Sequence, residues 1–293
     1  MSQLLRGAPV RDLIAQQLRN DVETLKEQGI QTKVATLRVG DNSGDMYYEG
    51  AIRKNSDKYG IECVNKVYPE GTSQEELEAG LQALNWDDSV HGIIMLMPFP
   101  KGVDEERMKA LLSPEKDIDA ITDASYANLF DAKKSTEDYF CACTAEACME
   151  ILQKNGIELK GKKVTIVGRS IRIGKPLMLM MLNANATVTV CHTRTRAEDL
   201  KDACRNADIV VLATGQIESY GPEFFREGQI IVDAGAGTGS DGKMAGDLNA
   251  KALEQTELAD SIQYTPVPGG VGTVTTTLLL RNVIKAAKKR KAE

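Results

Sequence analysis

The chain has 293 residues, 42% hydrophobic and 27% charged, with a formal net charge of −6. That length accommodates two domains of ordinary size. The negative balance argues against a general nucleic-acid binder, and no run of about 18 apolar residues is present to form a membrane span.

In chain order, Met1-Ser2-Gln3-Leu4-Leu5-Arg6-Gly7 lacks the long apolar region of a signal peptide. Residues 10–28 have helical periodicity and stop at Gly29. A buried strand is expected over 32–39, a helix over 45–59 closed by Gly60, and a second strand over 61–67. Ser73 with Glu76 three residues on is a capping-box start. The strand 91–97 is stopped by Pro98-Phe99-Pro100. This alternation predicts a parallel sheet wrapped by helices.

A second alternating unit follows Leu159-Lys160-Gly161, with strands at 163–167, 187–191, 208–213 and 229–233 and helices at 175–182 and 197–204. It is a βαβαβ dinucleotide-binding pattern whose boundary falls near Thr144. The Met-rich stretch 178–181 reads as core filler. A final helix, 275–289, follows the turn-rich Pro266-Val267-Pro268-Gly269-Gly270. The second sheet is complete without that helix, so it is expected to fold back onto the first domain. The basic stretch 285–291 reads as a solvated helix end, where the dipole favours cations. Cys63, Cys141, Cys143, Cys148, Cys191 and Cys204 match no zinc spacing, and only two histidines could help. Free thiols in a reducing compartment, and no metal, are expected.

The first nucleotide-domain strand runs into Gly168-Arg169-Ser170-Ile171-Arg172-Ile173-Gly174-Lys175-Pro176, a glycine turn opening a helix. Free backbone N–H groups there suit a phosphate. It departs from a strict GxGxxG, and alone a structural turn explains it almost as well. The second strand adds weight. It ends Val190-Cys191-His192-Thr193-Arg194-Thr195-Arg196, with hydroxyls and arginines where NAD enzymes usually place an acidic residue for the ribose. Arg169, Thr193 and Arg194 would meet an anionic 2′-phosphate, which favours NADP over NAD, a solvated basic loop being the alternative. His192 is given a structural or cofactor-edge role, since hydride transfer needs no imidazole.

Several motifs stand in a fixed order: Val39-Gly40-Asp41-Asn42, Lys116-Asp117-Ile118-Asp119, Val167-Gly168-Arg169-Ser170, Cys191-His192-Thr193, Ala213-Thr214-Gly215 and Tyr264-Thr265-Pro266-Val267-Pro268-Gly269-Gly270-Val271-Gly272. Over essentially its whole length the chain resembles methylenetetrahydrofolate dehydrogenase/cyclohydrolases. The resemblance implies an N-terminal α/β folate domain, residues 1–143 joined by 274–293, and a Rossmann-type NAD(P)-binding domain, 144–273, with a cleft between them. It implies oxidation of 5,10-methylenetetrahydrofolate with NADP, hydrolysis of the methenyl product to 10-formyltetrahydrofolate, and a homodimer. Tyr48 matches the ring that stacks on folate and Asp119 the carboxylate that bonds the pterin. Pro98, Pro268 and Gly269 join them at the substrate; Gly168, Arg169, Ser170, Thr193, Arg194, Thr214, Gly215, Ala236 and Thr275 are implied at the cofactor.

The departures cluster at the chemistry. Ile52 stands where the family carries its catalytic Lys, and Leu96 where it carries the supporting Gln. Ala142-Cys143-Thr144-Ala145 replaces Pro-Cys-Thr-Pro, Gly235-Ala236-Gly237 replaces Gly-Ile-Asn, and Thr273-Val274 replaces Pro-Met. Losing Lys and Gln together leaves no unpaired polar partner. Arg53 and Lys54, five and six residues after Tyr48, point away from its face at about 100° per residue. The first expectation is a dehydrogenase with most cyclohydrolase activity lost. The alternatives are a bifunctional enzyme using a displaced Lys, and a non-catalytic folate or nucleotide sensor.

Overall fold

A computed structural model describes residues 3–131 and 139–292, with side chains as far as residue 290. Met1, Ser2 and the Lys291 side chain of the predicted basic tail lie outside the described residues. The chain opens with β1 (Gln3–Leu4) and α1 (Gly7–Glu27), then β2 (Lys33–Val39), α2 (Ser43–Tyr59), β3 (Glu62–Tyr68), α3 (Gln74–Trp86) and β4 (Gly92–Met95). Short helices α4 (Glu105–Leu111) and α5 (Asp123–Asn128) precede α6 (Cys143–Lys154). Then come β5 (Lys163–Val167), α7 (Gly174–Asn183), β6 (Thr187–Cys191), α8 (Ala197–Asn206), β7 (Ile209–Leu212) and β8 (Ile230–Asp233). A hairpin of β9 (Gly237–Thr238) and β10 (Met244–Ala245), then α9 (Ala250–Glu254), β11 (Gln263–Tyr264) and α10 (Gly272–Ala292), completes the described chain.

The chain divides into two compact units, residues 3–12 with Ala142–Thr275, and Leu13–Cys141 with residues 276–292. The expected division at 143/144 therefore differs at the N-terminus. Residues 3–12 group with the nucleotide-type unit because β1 pairs in parallel with β11, Gln3 opposite Gln263, and the Gly7 amide donates to the Gly269 carbonyl at 2.8 Å.

In the second unit three parallel strands run in the order β3-β2-β4. Central β2 is buried along nearly its whole length, as a parallel strand flanked on both sides must be. The Asn42 side chain caps α2 by accepting from the Gly44 amide at 2.8 Å, and Gly60 closes it in the left-handed region at φ 73°. The buried residues of α2 are Glu49, Ile52, Ser56 and Tyr59, one helical stripe facing the sheet. The C-terminal part of α10 is tied to this unit. Asn282 Nδ2 donates to the Ile118 carbonyl at 2.8 Å and Lys285 Nζ to the Tyr139 carbonyl at 3.0 Å. Lys288 and Arg290 pair with Asp21 and Asp88, each at 2.8 Å.

In the other unit six parallel strands run β1-β11-β8-β7-β5-β6. Central β7, Ile-Val-Val-Leu, is wholly buried. Helix α7 starts where Gly174 packs so closely on the Gly168 carbonyl that a Cβ would overlap it. Among the described residues no helix is long and apolar enough to cross a membrane.

Candidate active site

One group of candidate residues is built on α2. Gly40 takes the left-handed region at φ 77° and turns β2 toward the helix. Arg38, buried near the end of β2, spans this turn. Its Nη1 donates to the Gly40 carbonyl and to Asp41 Oδ1, the latter at 3.0 Å, while Nε donates to Glu49 Oε2 at 3.0 Å. Thr36 Oγ1 donates to Glu49 Oε1 at 2.6 Å, and Asn65 Nδ2 donates to Thr36 Oγ1 at 2.9 Å. Burial by itself would raise the Glu49 carboxyl. Hydrogen bonds from Thr36, Asn65 and Arg38, together with the Arg38 charge, carry it below its usual value. Glu49 is thus held ionised, with each of its oxygens accepting from β2. The sequence reading passed over both Glu49 and Arg38. The signal was there in a charge within the apolar stripe of α2 and another within an apolar strand.

Tyr48 is 41% exposed, whereas Ile52, one turn on, is fully buried. Leu96 is 4% exposed and continues the ladder past β4 by donating its amide to the Leu37 carbonyl at 2.9 Å. The positions expected to carry the Lys–Gln pair are therefore both buried and apolar. Arg53 is exposed and its Nε donates to Asn65 Oδ1 at 3.1 Å; Lys54 is exposed. Lys116 is buried too, but its Nζ donates to the carbonyls of Leu84 and Asp87 at 2.8 and 2.7 Å at the end of α3. Burial lowers its pKa to about 8.

Asp119 follows a bridge between Ile93 and Asp117 and is half-buried. The Asp117 carboxylate shapes this loop by accepting from the amides of Ile121 at 3.0 Å and Thr122 at 2.8 Å and from Ser125 Oγ at 2.6 Å. Of the two acidic residues in the motif, Asp117 is consumed by its own loop. Pro98, in a cis peptide after Met97, is exposed.

The second group lies in the six-stranded unit. Gly168, at φ 130°, ends β5 so close to Ala213 that a Cβ would overlap the Ala213 carbonyl. Arg169 and Ser170 are exposed just beyond it, and Thr193 and Arg194 are exposed beyond neighbouring β6. Helix α7 begins without a side-chain cap, so its first amides lack a side-chain acceptor. The Lys175 amide donates to the Ser170 carbonyl at 3.0 Å and Pro176 has no N–H, so it is the glycine turn and the arginines at adjacent strand ends that fit a dinucleotide phosphate. His192 is a turn former, its Nδ1 accepting from the Arg194 amide at 3.1 Å.

Thr214 and Gly215 are placed by a residue the sequence reading missed. Asp247 Oδ2 accepts from the Thr214 amide at 2.6 Å, from Thr214 Oγ1 at 2.8 Å and from the Gly215 amide at 3.2 Å. Asp247 is itself held by Asp233, whose carboxylate accepts from the amides of Gly235, Asp247 and Leu248 at 2.9, 3.1 and 2.9 Å. Burial raises the Asp233 pKa to about 6, against the Leu248 hydrogen bond and with the help of the Asp247 charge. A cavity of about 440 Å³ in this unit brings Ala236 and Thr275, expected at the cofactor, together with Pro268 and Gly269, expected at the substrate.

Residues 5–119 match the tetrahydrofolate dehydrogenase/cyclohydrolase catalytic domain, and residues 142–291 match the NAD(P)-binding domain of the same family. A Clostridium perfringens protein named bifunctional protein FolD is 40% identical over 286 residues, covering 97% of this chain and 99% of its own. The crystal structure of the Campylobacter jejuni bifunctional enzyme FolD, methylenetetrahydrofolate dehydrogenase/cyclohydrolase, is 33% identical with a TM-score of 0.92, covering 99% of this chain and all of that one. The Trypanosoma brucei methylenetetrahydrofolate dehydrogenase-cyclohydrolase, solved with NADP and an inhibitor, is 28% identical with a TM-score of 0.90, over 100% of this chain and 99% of that one.

Proposed function

The chain belongs to the tetrahydrofolate dehydrogenase/cyclohydrolase family, and from that premise we propose that it oxidises 5,10-methylenetetrahydrofolate with NADP while hydrolysing the methenyl product weakly or not at all. Gly168, Arg169, Ser170, Thr193 and Arg194 would hold NADP, whose nicotinamide supplies the hydride acceptor. Tyr48 stacks on the folate, and the Asp119 carboxylate accepts the pterin N–H groups. Removing hydride from the methylene leaves a cation stabilised by the adjacent folate nitrogens. No protein group need take a proton, so stacking, alignment and exclusion of water suffice.

Hydrolysis asks for more. Water must lose a proton as it attacks, and a folate nitrogen must gain one. The observation that carries the proposal is the full burial of Ile52 on the inward stripe of α2, an apolar side chain at the position where the resemblance implies the proton carrier. Removing a positioned acid or base commonly costs about 10²–10⁴-fold. A second reading, a bifunctional enzyme, is favoured by the names of the relatives and requires a displaced cation such as Lys54. A folate or nucleotide sensor without catalysis would use the same turns at β5 and β6, and is separated from an enzyme by whether NADPH forms.

The test is a paired assay on one preparation. NADPH should form on adding methylenetetrahydrofolate, and methenyltetrahydrofolate should decay no faster than in buffer. Hydrolysis keeping pace with oxidation would overturn the reading. Oxidation with neither cofactor would leave the sensor. A homodimer is part of the proposal: β3 is an edge strand, and edges of this kind invite strand pairing. We place the protein in the cytoplasm on the reading of its six scattered cysteines as those of a reducing compartment.

A further inference from the structure

The polar chain Asp41–Arg38–Glu49–Thr36–Asn65–Arg53, buried at Arg38, Glu49 and Thr36, has no part in the chemistry above. We propose that Glu49, clamped by Arg38 and Thr36, is a positioning residue that fixes the register of α2 and so the presentation of Tyr48 to the folate. The proposal rests on the reading of Tyr48 as the stacking ring.

The geometry argues for it in three steps. Glu49 is the next residue after Tyr48, so whatever fixes one fixes the other. Its two oxygens are held by different residues of β2, Oε1 by Thr36 at 2.6 Å and Oε2 by Arg38 at 3.0 Å, which fixes both the depth and the rotation of the helix. The next turn is tied to the same cluster, since Arg53 donates to Asn65 and Asn65 donates to Thr36. Slipping α2 by one residue rotates its side chains by about 100° and would break both sets of bonds. Arg38 also holds Asp41 and the Gly40 carbonyl, so the entry to the helix is fixed by the same guanidinium.

Packing alone does not explain the cluster. An apolar pair of similar volume fills such a site without the desolvation cost of two charges, whereas a buried ion pair best earns its place by specifying one register.

Three variants test this by steady-state kinetics with folate and NADP each varied: Tyr48→Ala, Glu49→Gln, and the double Arg38→Leu/Glu49→Leu. The double variant removes both charges, and so should fold even where Glu49→Gln strands a buried guanidinium. Tyr48→Ala should raise the KM for methylenetetrahydrofolate. Both Glu49 variants should raise it on the order of tenfold, with the KM for NADP within about twofold of wild type and kcat at saturating folate changed less than KM. The double variant should melt near the wild-type temperature yet keep the raised folate KM. A folded double variant with wild-type folate KM, alongside a Tyr48→Ala effect, overturns the clamp and leaves the Tyr48 reading standing. A parallel rise in both KM values marks a general structural role and also overturns it. No effect of Tyr48→Ala removes the reading on which the proposal stands, and the proposal with it.

Discussion

Installing the missing pair, Ile52→Lys with Leu96→Gln, should convert the protein into a measurable hydrolase. The single change is expected to fail, for reasons the structure makes quantitative. Ile52 is fully buried, so an ammonium there is stripped of water and its pKa falls. At pH 7 this penalty is capped, because a lysine pushed below pH 7 gives up its proton. The cap is about 3.4 pH units from a starting value of about 10.4, or about 4.6 kcal/mol. The lost isoleucine burial adds about 1.5–3 kcal/mol, partly recovered by the lysine stem. Glu49, three residues earlier on the same stripe, can offset little, since Thr36 and Arg38 already occupy its oxygens. Ile52→Lys alone should thus cost roughly 5 kcal/mol and hold a largely neutral amine. The resemblance implies that position 96 adjoins position 52, so Leu96→Gln would give that amine a polar neighbour, and the two changes should couple by about 0.5–3 kcal/mol. The assay follows methenyltetrahydrofolate decay above the buffer rate, with NADPH formation and melting temperature measured in parallel. The double variant should exceed wild-type hydrolysis by on the order of 10²-fold and exceed either single change. Brisk hydrolysis by the unmodified protein would refute the reasoning, because proton transfer would then have to come from another group.

Arg169→Ala should raise the KM for NADP about tenfold or more, the worth of a charged hydrogen bond, and that for NAD much less. An equal rise for both would show that this arginine does not read the 2′-phosphate. Asp119→Ala should raise the folate KM by a similar factor of about ten or more while NADP binding, followed by titration, stays nearly unchanged. Asp233 makes a prediction about pH. Its folded pKa of about 6 lies above the ordinary carboxyl value of 3.8, so the folded state holds the proton more tightly. That stabilisation is fully present below the unfolded value and is lost as pH rises through about 6. Between pH 7 and pH 5 the wild type should therefore gain about 1.3 kcal/mol relative to Asp233→Asn, read from paired denaturant melts. The comparison with the variant is needed because buried His91, whose pKa burial lowers, acts in the opposite direction as pH falls. A stability difference independent of pH would show that Asp233 does not titrate in this window.

The architecture was legible wherever one strand or helix carried its own pattern. The strand expected over residues 208–213 carries a run of β-branched and leucine side chains, which suit the centre of a parallel sheet, and β7 (Ile209–Leu212) sits there. Gly60 marked the end of α2 by capping chemistry that needs no partner elsewhere, whereas Asn42, whose side chain starts the helix at Ser43, was passed over and the helix was expected from residue 45. Two-residue strands carry no such pattern. β1 and β11 were not foreseen, and with them went the attachment of residues 3–12 to the nucleotide-type sheet. The cofactor turn was half legible. Gly168 was visible as a glycine, but the carboxylate that positions Thr214 and Gly215 lies more than thirty residues further on and is brought there only by folding.

The same limit hid the polar cluster on α2, and its chemistry sharpens the case for lost hydrolysis. A glutamate on a helix ordinarily marks the solvent side, so Glu49 attracted no notice until Thr36, Arg38 and Asn65 were seen around it. It is the acidic residue among the buried positions of α2, one turn from Ile52. An acid or base works best with a pKa near the operating pH and with a free lone pair facing the substrate. Glu49 suits neither demand: hydrogen bonds hold its pKa below the usual carboxylate value, and both its oxygens are turned to β2. The inward face of α2 thus carries charge committed to binding its own sheet, and the apolar Ile52 at the position where the resemblance implies the proton carrier.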